Sequence, residues 1–155
     1  MAEEFVIRLA EPRDMKNVFD LSNDDTVRAM SIHPEKIEWE SHVKWFENAL
    51  NNPDVLFYVA ETADGDFIGQ VRFTRDNADW VVSISLVKKY RGKGLASGLL
   101  RKSIELSHLE NVTAYIYNTN GASLKAFEKA DFEASTLLKY TYNKNNTKGM
   151  SGGGG

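Results

Sequence analysis

The chain has no cysteine among its 155 residues. Disulfides and thiolate chemistry are therefore excluded, and a reducing cytoplasm is the expected setting. No apolar run approaches the roughly 20 residues that a bilayer crossing requires, so no membrane partner is expected. The first residues, MAEEFVIRL, have neither a basic start nor an apolar stretch of the kind a signal peptide needs. No internal repeat or low-complexity tract precedes the closing TKGMSGGGG. That segment has the composition of a linker, so residues 145–155 are read as a flexible tail behind one domain over 1–144. No metal site is expected.

Acidic residues are missing from one stretch. Residues 88–102 carry six bases and no acid, whereas residues 1–87 carry 17 acids against 8 bases, and the whole chain has a net charge of −3. An acidic protein with a single basic island is a poor match for nucleic acid. It suits a small polyanion bound at one spot.

The remaining sequence reads as one globular domain, long enough to bury a core without staples. Alternating β-branched and aromatic runs predict strands over 4–11, 55–62, 67–76, 80–87, 111–119 and 132–143. Apolar spacings of three and four predict helices from Asp14, over 38–51, from the glycine-rich stretch to about Leu109, and over 121–130. A short helical turn and a loop closed by Pro34 stand between the first two helices. The Asp-Gly pair at 64–65 signals a hairpin. This order describes a mixed α/β sheet, partly antiparallel and finished by helical crossovers.

The stretch YRGKGLASGLL, residues 90–100, places glycines and basic side chains at the entrance of a helix. Gly92 and Gly94 begin a dinucleotide fingerprint, but its third glycine is Ser97 and Gly98 comes one residue late. The mononucleotide loop spacing is absent too. What fits is a strand, then Arg-x-x-Gly-x-Ala, then a helix, with Arg91, Gly94 and Ala96 in register. A helix N-terminus exposes unpaired N–H groups and partial positive charge, and small residues let a pyrophosphate approach them.

This arrangement resembles the acetyl-CoA pyrophosphate loop of the GNAT superfamily of N-acetyltransferases. Downstream, NGASLKAFEKADF resembles the superfamily's second conserved segment. Asn120, Ser123 and Phe132 match it, whereas Phe127 stands where Tyr is usual and Asp131 where Gly is usual. The element order is also that superfamily's, and the resemblance covers about residues 4–143. It implies an α/β (α+β) GNAT-like fold, with a mixed, partly antiparallel sheet of six to seven strands flanked by about four helices. Acetyl-CoA is the implied cofactor. Its diphosphate would sit on Arg91, Gly92, Lys93, Gly94, Leu95, Ala96 and Ser97. The backbone near Leu86, Val87 and Lys88 would pair with the pantetheine arm, and Asn120, Ser123 and Phe127 would complete the cofactor side.

The implied reaction is direct attack of a primary amine on the thioester, in an acetyl-CoA-dependent N-acetyltransferase. Phe127 cannot protonate departing coenzyme A, and the slot of a frequent fourth-strand Glu base is Val81. Tyr115 and Tyr117 are alternative donors, although aromatic residues in strands also serve packing. His42 is a candidate base, although a lone His near Trp is more often structural.

The segment 22–46 resembles the first half of bacterial GNAT enzymes acting on nucleotide-linked 4-amino sugars. Asn23, Asp24, Val27, Arg28 and Ser31 match one run, and His42, Trp45 and Phe46 a second. The resemblance implies an amino-sugar acceptor bound by Asn23, Asp24, Arg28, Ser31 and His33, with Arg28 gripping a carboxylate or phosphate. A polyamine acceptor, a protein N-terminus and a catalytically quiet acyl-CoA-binding module remain as alternatives, and a homodimer stays open.

Overall fold

A computed structural model describes residues 4–29, 33–115 and 121–134. Strand β1 (Phe5–Leu9) pairs antiparallel with β2 (Val55–Thr62), β2 with β3 (Phe67–Asp76), and β3 with β4 (Asp79–Leu86). The last strand, β5 (Val112–Thr113), pairs parallel with β4. Helices α1 (Met15–Ser22), α2 (Asp25–Ala29) and α3 (Trp39–Asn51) occupy the connection from β1 to β2. Helix α4 (Leu95–Ser107) makes the crossover that a parallel β4–β5 pair requires, and α5 (Gly121–Lys129) follows.

Successive strand residues point to opposite faces, so the two faces of the sheet carry separate cores. Tyr58, Val71, Phe73 and Val82 join Leu99 and Leu100 of α4 and Phe127 of α5 in the larger one. Phe57 belongs to the other face, where Val18 of α1 and Phe46 and Ala49 of α3 cover it. His42, Phe46 and Ala49 recur at four and three along α3, which places them on its buried side.

Two local devices fix the frame. Arg8 of β1 donates to both carboxylate oxygens of Asp14 at 2.8 Å and to Glu61 at 2.7 Å, and Asp14 also accepts the Glu11 N–H. These bonds tie the start of α1 to the sheet edge. At Gly69 a Cβ would stand 2.1 Å from the Ser85 carbonyl oxygen. Only a residue without a side chain lets β3 and β4 approach so closely there.

The mixed α/β class and the order of elements agree with the sequence reading. The described sheet has five strands rather than six or seven. Phe132, Glu133 and Ala134 are not in a strand, and the rest of the expected final strand lies outside the described residues. The expected strand over 111–119 appears as Val112–Thr113, with 116–120 outside the described residues. Helix α4 stops at Ser107, short of Leu109, because His108 takes a left-handed conformation (φ 59°) and closes the helix onto Ile104 and Glu105.

Candidate active site

The pairing of β4 with β5 covers only Trp80–Val112 and Val81–Thr113. Past that point residues 82–86 of β4 run beside a cleft of about 1080 Å³ with no β5 partner among the described residues. The first turn of α4 and one side of α5 form the far walls of the cleft. Gln70 and Arg72 of β3 and the residues of α2 close the near end. A strand edge left open in this way accepts an extended ligand as a further strand.

Gly94 caps α4 at φ 76°, a left-handed conformation that costs a side-chain-bearing residue about 1–2 kcal/mol. No side chain caps the helix, and Leu95, Ala96 and Ser97 line the cleft. The unpaired first-turn N–H groups of this 13-residue helix therefore meet the cavity, a donor set suited to a diphosphate. Gly92, at φ 74°, shapes the same turn. Lys93 lies over the Tyr90 ring, 5.7 Å from its centroid.

Arg91 has other neighbours than the diphosphate turn. Its Nε donates to the Leu86 carbonyl at 2.8 Å, and its Nη2 lies 2.9 Å from Asp24 Oδ1. That second contact lacks hydrogen-bond alignment, so it acts as an ion pair rather than a directed bond. Leu86 lines the cleft, whereas Val87 and Lys88 line a smaller hollow of about 330 Å³ beside α1, along with Asp20, Asp24 and Asp66. The Val87 N–H is already spent on the Ile68 carbonyl at 2.9 Å.

Ser123 and Phe127 line the α5 wall; Phe127 is buried and meets Phe132 edge to face at 4.9 Å. Asn120, Tyr117 and Ser31 lie outside the described residues. Tyr115 lines the cleft while staying 77% exposed. Tyr90 also reaches the cleft, but its hydroxyl donates to Asp66 at 2.5 Å, and that bond raises its pKa above the ordinary tyrosine value. A proton held that way is not offered to a leaving group.

The acceptor-side residues expected from the sequence are largely occupied in holding their own segment. The Asn23 carboxamide donates to the Ile37 carbonyl and accepts its N–H. Asp24 accepts the N–H groups of Thr26 and Val27, which caps α2. Burial would raise the Asp24 carboxyl, but Arg91 and these backbone donors hold it below the usual range. Arg28 lines the cleft, yet its guanidinium donates to the carbonyls of Ser22, His33 and Glu35 and so cross-links the loop. His33 is exposed. His42 is only 2% exposed, bonded to the Met15 carbonyl and ringed by Phe19, Trp39, Trp45 and Phe46. Burial lowers its pKa, and it does not line the cleft.

Four residues that the sequence reading passed over line the β3–β4 floor at the near end of the cleft. Gln70 sits opposite Ser85, and Arg72 opposite Ser83, in the β3–β4 register. Gln70 is 5% exposed; its Nε2 donates to Ser85 Oγ at 3.2 Å, and its Oε1 has no partner among the described residues. Arg72 lies over the rings of Trp45 (4.9 Å) and Phe57 (5.8 Å). Its guanidinium makes no hydrogen bond or ion pair among the described residues. Burial pushes its guanidinium down to about 10, while part of its surface stays open to the cleft. The available signal was polar alternation on two neighbouring strands, Gln70/Arg72 and Ser83/Ser85, a pattern that also describes an ordinary solvent face.

A family model described as the acetyltransferase (GNAT) domain matches residues 4–133. The chain belongs to the GNAT acetyltransferase family. It is an N-acetyltransferase with acetyl-CoA as its cofactor, and the open β4 edge and α4 turn fit that molecule. The transferase is 29% identical over 136 residues to YwnH of Bacillus subtilis, provisionally named a phosphinothricin acetyltransferase, covering 81% of this chain and 82% of that one. It is 26% identical over 141 residues to the L-amino acid N-acetyltransferase AaaT of Escherichia coli, covering 84% and 83%. Its fold matches spermidine N-acetyltransferase from Vibrio cholerae in complex with CoA and spermine, with a TM-score of 0.76, 17% identity, and coverage of 89% and 86%. No described helix is long and apolar enough to cross a membrane.

Proposed function

We propose that the transferase acetylates one primary amine of a small acceptor seated on the Gln70, Arg72, Ser83 and Ser85 floor of the cleft. An amino sugar or nucleotide-linked amino sugar is the acceptor suggested by the segment 22–46. An amino acid is the one suggested by the name of AaaT.

The unpaired, buried Gln70 Oε1 carries this reading. A buried acceptor without a donor costs about 1–3 kcal/mol, and an amine N–H would satisfy it. Gln70 then turns the amine so that its lone pair faces the open edge of β4. Acetyl-CoA held along the β4 edge and the α4 turn would supply an activated acyl carbon and a thiolate leaving group for the amine's attack. Ser85 fixes the Gln70 carboxamide from behind. No Asp, Glu or His lines the cleft among the described residues, so the amine proton leaves through cleft water.

A thiol-release assay with acetyl-CoA and a panel of free amino sugars, nucleotide-linked amino sugars, amino acids, polyamines and peptides tests the reading. Gln70→Leu should lower kcat/KM for the best acceptor by about tenfold or more while leaving acetyl-CoA binding in place. Retained affinity for acetyl-CoA with no thiol release from any amine would favour the catalytically quiet module instead.

A further inference from the structure

We propose that the acceptor carries an acidic group, carboxylate or phosphate, and that Arg72 grips it while Gln70 takes the amine. The inference rests on the acetyl-transfer reading above and narrows its substrate class.

The charges around the cleft point one way. Arg28, Arg72, Arg91, Lys125 and Lys129 line it, and no acidic side chain does so among the described residues. This holds although residues 1–87 are strongly acidic overall. Arg91 is paired with Asp24 and Arg28 is spent on three carbonyls. Arg72 is different, because among the described residues neither a carboxylate nor a carbonyl meets its guanidinium.

An uncompensated guanidinium held partly out of water destabilises a fold, so an acceptor for its N–H groups should be visible if its role were structural. Among the described residues only the rings of Trp45 and Phe57 meet it. Trp45 and Phe57 support its flat face, which leaves the N–H fork free to meet a carboxylate or phosphate in two parallel bonds. Gln70 and Arg72 are two residues apart on one face of β3, roughly 7 Å along the strand. Side-chain reach lets that pair hold an amine and an acid of one small molecule. A polyamine would meet repulsion at the same place.

The test compares matched acceptors in the thiol-release assay: amino acids against their amides, nucleotide-linked amino sugars against the free sugars, and spermidine. Turnover should concentrate on the acidic member of one pair, and which pair identifies carboxylate or phosphate as the source. Arg72→Met, which keeps the stem over Trp45, should raise KM for that acceptor about tenfold or more with acetyl-CoA KM nearly unchanged. Its thermal midpoint should not fall. An amide, a free sugar or spermidine as best acceptor overturns the proposal, as does an unchanged acceptor KM in Arg72→Met. A second measurement stands apart from turnover. The Arg72 Nε–H NMR signal, assigned by its loss in Arg72→Met, should shift on titration with acetate or inorganic phosphate. A signal unmoved by both anions overturns the anion site even if acetyl transfer is found. A shifting signal with no turnover on any amine supports the anion site and overturns the transfer reading instead.

Discussion

Arg91, in the loop before α4, reaches across the end of β4 to lie 2.9 Å from Asp24, the residue that caps α2. One ion pair thus joins the turn suited to the cofactor diphosphate to the α2 segment that closes one end of the cleft. Both side chains are about three-quarters buried, so water screens the pair less than it would a surface contact. Asp24→Asn should loosen α2 and raise the acceptor KM several-fold, with a smaller effect on acetyl-CoA. A double-mutant cycle with Arg91→Met measures the coupling, expected at about 1 kcal/mol. Strict additivity would show that the two ends are independent.

Gly94 holds a left-handed backbone at the N-terminus of α4, and a Cβ there would meet nothing within 4 Å. The demand is conformational rather than steric. Gly94→Ala should therefore fold, yet weaken acetyl-CoA binding about tenfold by misdirecting the first-turn N–H groups. Calorimetric titration of the two proteins decides it, and equal affinities would remove the diphosphate assignment.

Gly69 presents the opposite case, since a Cβ would stand 2.1 Å from a backbone oxygen of β4. Gly69→Ala must push β3 and β4 apart beside Gln70 and Leu86, which line the cleft. We expect a stability loss of about 2 kcal/mol or more in urea unfolding, accompanied by a higher acceptor KM.

Stability should depend on pH in two stages. Burial depresses the His42 pKa, so the fold favours its neutral form; that contribution is complete above the ordinary value of 6.5 and declines as pH falls through the lowered one. For Asp14, burial would raise the pKa, but Arg8 and the Glu11 N–H hold it below the ordinary 3.8. Its contribution is present above that value and lost as pH falls further. The urea midpoint measured from pH 8 to pH 3 should slope gently below about 6.5 and steeply below about 4. His42→Gln, which can still donate to Met15, should abolish the first slope only.

Much of this protein was legible in the order of its residues. Period-two and period-four patterns marked β2, β3, α3 and the start of α5, because burial of one face enforces them whatever the rest of the chain does. The glycine at 94 announced the left-handed turn that opens α4, because only glycine takes that backbone conformation cheaply. The polar floor proposed here for the acceptor was not legible. Arg28 and Arg72 are the same side chain in the sequence, and only the tertiary structure separates them. The loop folds carbonyls around Arg28 and uses up its donors. Arg72 sits on a strand face whose polar alternation reads as solvent-exposed until α3 brings Trp45 against it. Whether a charge is spent or available depends on which distant groups come within 3 Å of it, and local sequence does not encode that.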